Sequence, residues 1–191
     1  MMEIRSPLFT LGEAREAGLR KDQVYQLLAE DKLERVGRGV YMIPGAIDPA
    51  LIALAAATLV QPEATLCLIS ALVHHGLVDT IPYASDIALP RGTRYPSGIT
   101  HAIWHSFDKS TFSIGRAVLK NDVGLPLNVY TPERCIIDIF RLAHQEGQDT
   151  ANKVIKRWLS RPESSAGKLL EMARSFPKAE PSLRRTLEVL L

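Results

Sequence analysis

"LERVGRGVYMIPG", residues 33–45, sets two short runs of β-formers on either side of a Gly-Arg-Gly step. This spacing predicts a tight β-hairpin. Either Gly37-Arg38 forms the two-residue tip of a type II′ turn, or Gly39 takes the left-handed position of a bulged three-residue turn. Both readings put the Arg38 side chain at the tip. Upstream, "TLGEAREAG" (10–18) places Leu11, Ala14 and Ala17 on one helical face. Thr10 and Glu13 have the spacing of a capping box, and Gly18 is a natural stop. A second helix is expected at about 21–31, with Val24, Leu27 and Leu28 facing inward and Asp22, Tyr25, Gln26 and Ala29 facing outward. Two short helices across a tight turn and then a hairpin follow the order of a winged helix-turn-helix.

In that arrangement the second helix meets base edges in the major groove while the hairpin lays an arginine on phosphate or in the minor groove. The candidate DNA-binding residues are Arg20, Lys21, Tyr25, Gln26 and Arg38. The Gln26 amide has the donor–acceptor fork that matches adenine, whereas Arg20, Lys21 and Arg38 suit phosphate. A plainer reading makes Tyr25 and Gln26 a solvated helix face and the glycines simple hairpin punctuation. Winged helices also serve as protein-docking modules. Residues 1–45 hold seven Lys/Arg against seven Asp/Glu, so net charge does not decide between these readings.

The run "FTLGEAREAGLRKDQVYQLLAEDKLERVGRGVYMIPG" resembles the N-terminal DNA-binding domain of the AbiEi family of antitoxins, which ends in a similar Gly-Arg-Gly-Val-Tyr wing. The resemblance continues through "CLISALVHHGLVDTIP", "DIALPRGTR" and "LPLNVYTPERCIIDIFRLAHQEG". It implies a two-domain antitoxin of an abortive-infection, phage-defence system. The N-terminal domain would repress its own operon by binding operator DNA, and the C-terminal domain would neutralise an AbiEii-like nucleotidyltransferase toxin. The resemblance leaves direct contact with that toxin open. Two departures stand out: only "MMEIRSPL" precedes Phe9, where the family usually has an additional helix, and Arg20 occupies a cap position where such proteins often carry Ser.

The 191 residues carry a net charge of +2, and 46% are hydrophobic, enough for a sizeable core. No apolar stretch approaches the length of a membrane span, and the N-terminus lacks the apolar run of a signal peptide, so a cytoplasmic protein without membrane partners is expected. Cys67 and Cys135 lie in apolar runs and read as buried, reduced thiols. The Gly/Pro step "PGAIDP" (44–49) marks the expected division into a winged helix-turn-helix domain, 1–45, and an antitoxin domain, 46–191. The fold class is thus α+β, the second domain combining several helices with a small mixed or antiparallel sheet.

Within that second domain, Asp48 and Pro49 open an almost wholly apolar helix, and a further helix is expected at about 63–75, ending at Gly76. Adjacent His74 and His75 diverge on a helix and cannot chelate one metal as an i, i+4 pair would. Strands are expected in "DIALP", "THAIWHSF", "IGRAVL" and "LPLNVYT". His101 and His105 share a strand face without a nearby carboxylate in sequence and read as polar side chains at the surface. "TPERCIIDIFRLA" carries Arg134, Asp138 and Arg141 at i, i+4 and i+7, either an ion-pair ladder or a functional face. On "TANKVIKRWLSR", Lys153, Lys156 and Arg157 oppose Val154, Ile155, Trp158 and Leu159. This basic face is either solvated surface or a partner-binding face for an acidic or nucleic-acid partner. Two further helices, at about 163–175 and 181–191, are expected to close the domain.

No phosphate-binding Gly loop, nucleophile elbow, zincin motif or Cys-x-x-Cys pair occurs, so no cofactor, metal or catalytic residue is assigned and the chain does not read as an enzyme. Glu30-Asp31-Lys32 has a nuclease-like acid-x-Lys spelling but falls at a helix end. Beside the antitoxin and autorepressor stand a winged-helix protein-interaction scaffold without specific DNA binding and a cryptic nuclease.

Overall fold

The computed structural model describes residues 6–142 and 148–191. The first five residues of "MMEIRSPL" and the end of "RLAHQEG" lie outside the described residues. β1 (Leu8–Thr10) leads into α1 (Leu11–Glu16). The Thr10 hydroxyl accepts the Glu13 N–H at 3.2 Å and the Glu13 carboxylate accepts the Thr10 N–H at 2.7 Å, closing the capping box. After Gly18, at φ +84°, comes α2 (Lys21–Ala29). Its N-cap Arg20 has no side-chain acceptor to offer the helix. Instead the Gln23 side-chain oxygen accepts the Arg20 N–H at 2.8 Å, and Asp22 places a negative charge in the first turn.

β2 (Glu34–Gly37) and β3 (Val40–Met42) form the expected hairpin. Gly37 pairs with Val40, so the tip is Arg38-Gly39, with Gly39 at φ +73° and the pairing shifted between Arg35 and Gly37. This corrects the Gly37-Arg38 alternative: the left-handed residue is the second glycine, next to an irregular strand. The three strands are antiparallel in the order β1-β3-β2. Alternation along β3 gives the small sheet two apolar faces. Tyr41 joins Phe9, Ala14, Val24 and Leu33 under the helix pair, while Val40 and Met42 join Leu8 and Val36 in the main core. Each buried Val, Leu, Phe or Met among these contributes about 1.5–3 kcal/mol.

The main core begins with α3 (Pro49–Val60), whose N-terminus is fixed by the Asp48 carboxylate accepting the Ala50 N–H at 2.9 Å. α3 packs on β1 and β2. Residues 63–67 are not helical, contrary to expectation. Thr65–Leu66 form β4, and only Leu68–His74 form the helix α4. The polar backbone of this buried run is satisfied by pairing across the sheet, with Thr65 and Leu66 between Ala88–Ile87 on one side and Asn128–Val129 on the other. With β5 (Ser85–Pro90), β6 (Ala102–Phe107), β7 (Arg116–Val118) and β8 (Asn128–Tyr130), β4 makes a mixed sheet of order β6-β5-β4-β8-β7.

α5 (Pro132–Arg141), capped by Thr131, is the central helix of this larger unit. α4, α6 (Gln148–Leu159), α7 (Ala166–Ala173) and α8 (Glu180–Leu190) pack around it. The charged stripe expected on α5 is largely inside the protein, because Arg134 and Asp138 are fully buried. Arg134 Nε donates to Asp138 Oδ2 at 2.9 Å and Nη1 donates to the Thr111 and Ile114 carbonyls at 2.6 Å each. The guanidinium also lies 4.3 Å from the Tyr130 ring centre and 4.5 Å from that of Phe176. Gly115, at φ +70°, is required beside it, since a Cβ there would stand 2.6 Å from Arg134 Cβ.

Candidate nucleic-acid interface

The outward face of α2 presents Lys21, Asp22, Tyr25 and Gln26 to solvent. Lys21 Nζ sits 5.7 Å from the centre of the Tyr25 ring, which is 49% exposed. Gln26 Nε2 donates to Glu30 Oε1 at 2.9 Å, and Lys32 pairs with the same carboxylate at 2.7 Å. The hydrogen bond from Lys32, and then that from Gln26, hold the Glu30 carboxyl below its usual range. Arg20 pairs with Asp22 at 3.2 Å, both side chains well exposed. Such an exposed pair contributes little to stability.

Arg35 is a cationic side chain that the sequence reading did not single out. It stands opposite Tyr41 in the β2–β3 register and is exposed, with Nε 3.3 Å from the Gly37 carbonyl. Burial raises the Tyr41 phenol pKa, and the neighbouring Tyr25 adds to the effect while Arg35 opposes it. The signal was legible in alternation: with Val36 turned into the core, Arg35 faces the other way.

The Arg38 side chain is exposed at the hairpin tip, as expected, but the tip is not a free arm. The Arg38 N–H donates to the Ser97 carbonyl at 3.1 Å. A Cβ on Gly98 would lie 3.2 Å from Arg38 N, and one on Gly37 would lie 3.2 Å from Ile99 Cγ1. The hairpin therefore rests on the β5–β6 connection of the larger unit, which fixes where Arg38 is presented and lowers the ordering cost of using it.

Lys153, Lys156 and Arg157 occupy the exposed side of α6, opposite buried Val154, Ile155 and Trp158. Arg157 Nη1 reaches Asp79 Oδ2 at 2.6 Å, and this contact holds the Asp79 carboxyl below its usual range. Lys156 lines a separate cleft with Arg185 and Thr186 of α8. His75, the C-cap of α4, bonds through Nε2 to the Tyr130 carbonyl at 2.7 Å. The reading of His105 as a solvated polar side chain is corrected. Its Nε2 lies 2.9 Å from Asp86 Oδ1, a carboxylate brought from β5 by the parallel pairing with β6. Cys67 and Cys135 are free, fully buried thiols, and burial pushes both pKa values well up. Among the described residues no three His, Cys, Asp or Glu side chains gather as a metal site, and no helix is long and apolar enough to cross a membrane.

The exposed face of α2 and the basic hairpin tip thus belong to one small unit, residues 8–42. Residues 3–44 match the AbiEi antitoxin family of transcriptional regulators. The AbiEi match runs through β1, α1, α2 and both hairpin strands, and α3 onward lies outside it. It agrees with the resemblance read from the sequence and supports a role as an antitoxin and regulator. No curated protein matches the chain.

Proposed function

We propose that the protein represses its own operon by binding operator DNA through α2 and the β2–β3 wing, and that it counteracts a nucleotidyltransferase toxin in the cytoplasm through residues 46–191. The observation that carries this reading is the coincidence of the AbiEi match, 3–44, with the unit that exposes Lys21, Tyr25, Gln26 and Arg38. Gln26 contacts a base edge. Arg20, Lys21, Arg35 and Arg38 have only donors to offer and contact phosphate. The basic face of α6, with Lys153, Lys156 and Arg157, is the proposed partner-binding face of the second part.

The test uses two readouts in cells carrying the toxin gene and the native promoter. Full-length protein is expected to silence a promoter reporter and to rescue growth. Replacing Lys21 and Arg38 together by Ala is expected to release the reporter while rescue persists. A reporter unaffected by the intact protein would leave a protein-docking role for the winged unit and overturn the repressor reading.

A further inference from the structure

An open cleft of about 660 Å³ lies between β6, the C-terminal end of α5 and the α7–α8 connection. Its lining includes Arg91, His105, Arg141 and Lys178, together with Ser106 and Ser175. Among the described residues one carboxylate, Asp108, lines it too and is 3.4 Å from Arg91.

Among the described residues, the charged groups packed behind Phe107, Thr111 and Phe176 of this lining carry an excess of positive charge. Asp138 serves two guanidiniums, Arg134 at 2.9 Å and Arg141 at 3.0 Å, the latter without the alignment of a hydrogen bond. Among the described residues, Arg134 Nη2 and Arg141 Nε are buried and find no hydrogen-bond partner. Asp86, whose carboxylate bonds His105, also accepts from the Ser70 hydroxyl at 3.0 Å. Two fixed cations on one buried carboxylate leave a positive charge whose field the low-dielectric surroundings do not quench. An anion entering the cleft supplies the missing charge.

We propose that this cleft binds a phosphate-bearing small molecule of up to about nucleotide size, with Arg141, Arg91 and Lys178 meeting its phosphate oxygens and Ser175 donating a hydrogen bond. Arginine forks and a hydroxyl together match a tetrahedral oxyanion, and open walls admit a polyphosphate. The site is separate from the helix and wing proposed to bind DNA.

The test is calorimetric titration of the full chain with inorganic phosphate, pyrophosphate, ATP and GTP at constant ionic strength. Saturable binding of at least one is expected, weakened at least about tenfold by the surface variant R91E/K178E. The charge-matched variant K120E/K168E, altered at exposed lysines outside the cleft, is expected to bind as the parent does. Arg141→Met, checked for cooperative unfolding, is expected to weaken binding as well. Tighter binding of pyrophosphate than of the nucleotides would place recognition in the phosphates alone, and the reverse would add a nucleoside contact; both support the site. Absence of binding, or equal weakening by the two charge-reversed pairs, would overturn it.

Discussion

Gln26 and Arg38 are both exposed, yet different chemistry is expected of each. Gln26 gives one amide N–H to Glu30, so reading a base requires that bond to be exchanged for the base edge. Gln26→Ala is therefore expected to cost about 1–3 kcal/mol on the preferred sequence and much less on random DNA. Competition binding against the two DNAs measures this, and equal losses on both would remove Gln26 from base reading. A second residue-scale outcome concerns the interior. Asp138→Asn leaves Arg134 and Arg141 with no counter-charge at that position and is expected to destabilise the fold by about 3–5 kcal/mol in denaturant titration. The Arg134–Asp138 pairing was legible from i, i+4 spacing. Its burial was not, because the groups that enclose it, Thr111, Tyr130 and Phe176, lie on other elements.

Among the elements, long caps and periodicities carried the sequence reading well. The capping box of α1, the Asp-Pro start of α3 and the Thr-Pro start of α5 fixed these helices, where local hydrogen bonds decide the structure. β4 was misread as helix because two residues in a continuous apolar run show no period, and only pairing with β5 and β8 makes them a strand. The docking of the wing on Ser97 was equally invisible, being a backbone contact between segments far apart in sequence. Gly98→Ala tests that docking. Gly98 has φ +74° and faces Arg38 N, so a methyl group strains the loop and presses on the wing. Amide exchange at Arg38 is expected to quicken at least about tenfold while the core stays protected; unchanged exchange would show the wing held by its own hairpin. The joint between α4 and β8 carries a pH signature. Burial lowers the pKa of His75 against its bond to the Tyr130 carbonyl, so the unfolded chain binds a proton more readily. Its contribution is complete above about pH 6.5 and falls as pH drops through the lowered folded value. Thermal midpoints measured from about pH 7 to about pH 5 are expected to fall less in His75→Gln than in the parent.

At the scale of the whole molecule, the expected division at "PGAIDP" meets a shared core. Leu8, Val36, Val40 and Met42 of the first part pack in the same cluster as α3 and the five-stranded sheet. A fragment of residues 46–191 is expected to unfold cooperatively, with a lower midpoint than the full chain because that apolar face of α3 is uncovered. Loss of cooperative unfolding would mean that the two parts fold only together. Composition could not foretell this arrangement, since it depends on which face of a three-residue strand meets which helix. The same arrangement holds α2 and the wing in fixed relation to the larger unit, and the account rests on that surface meeting DNA. The deciding measurement is fluorescence anisotropy of the intact protein with DNA from upstream of its own gene and with a scrambled duplex, repeated across salt concentrations. The prediction is tighter binding to the native sequence, affinity that falls steeply with salt, and a salt slope reduced by about one in Arg38→Ala on both DNAs. Equal affinity for both duplexes, or a slope untouched by Arg38→Ala, would contradict it.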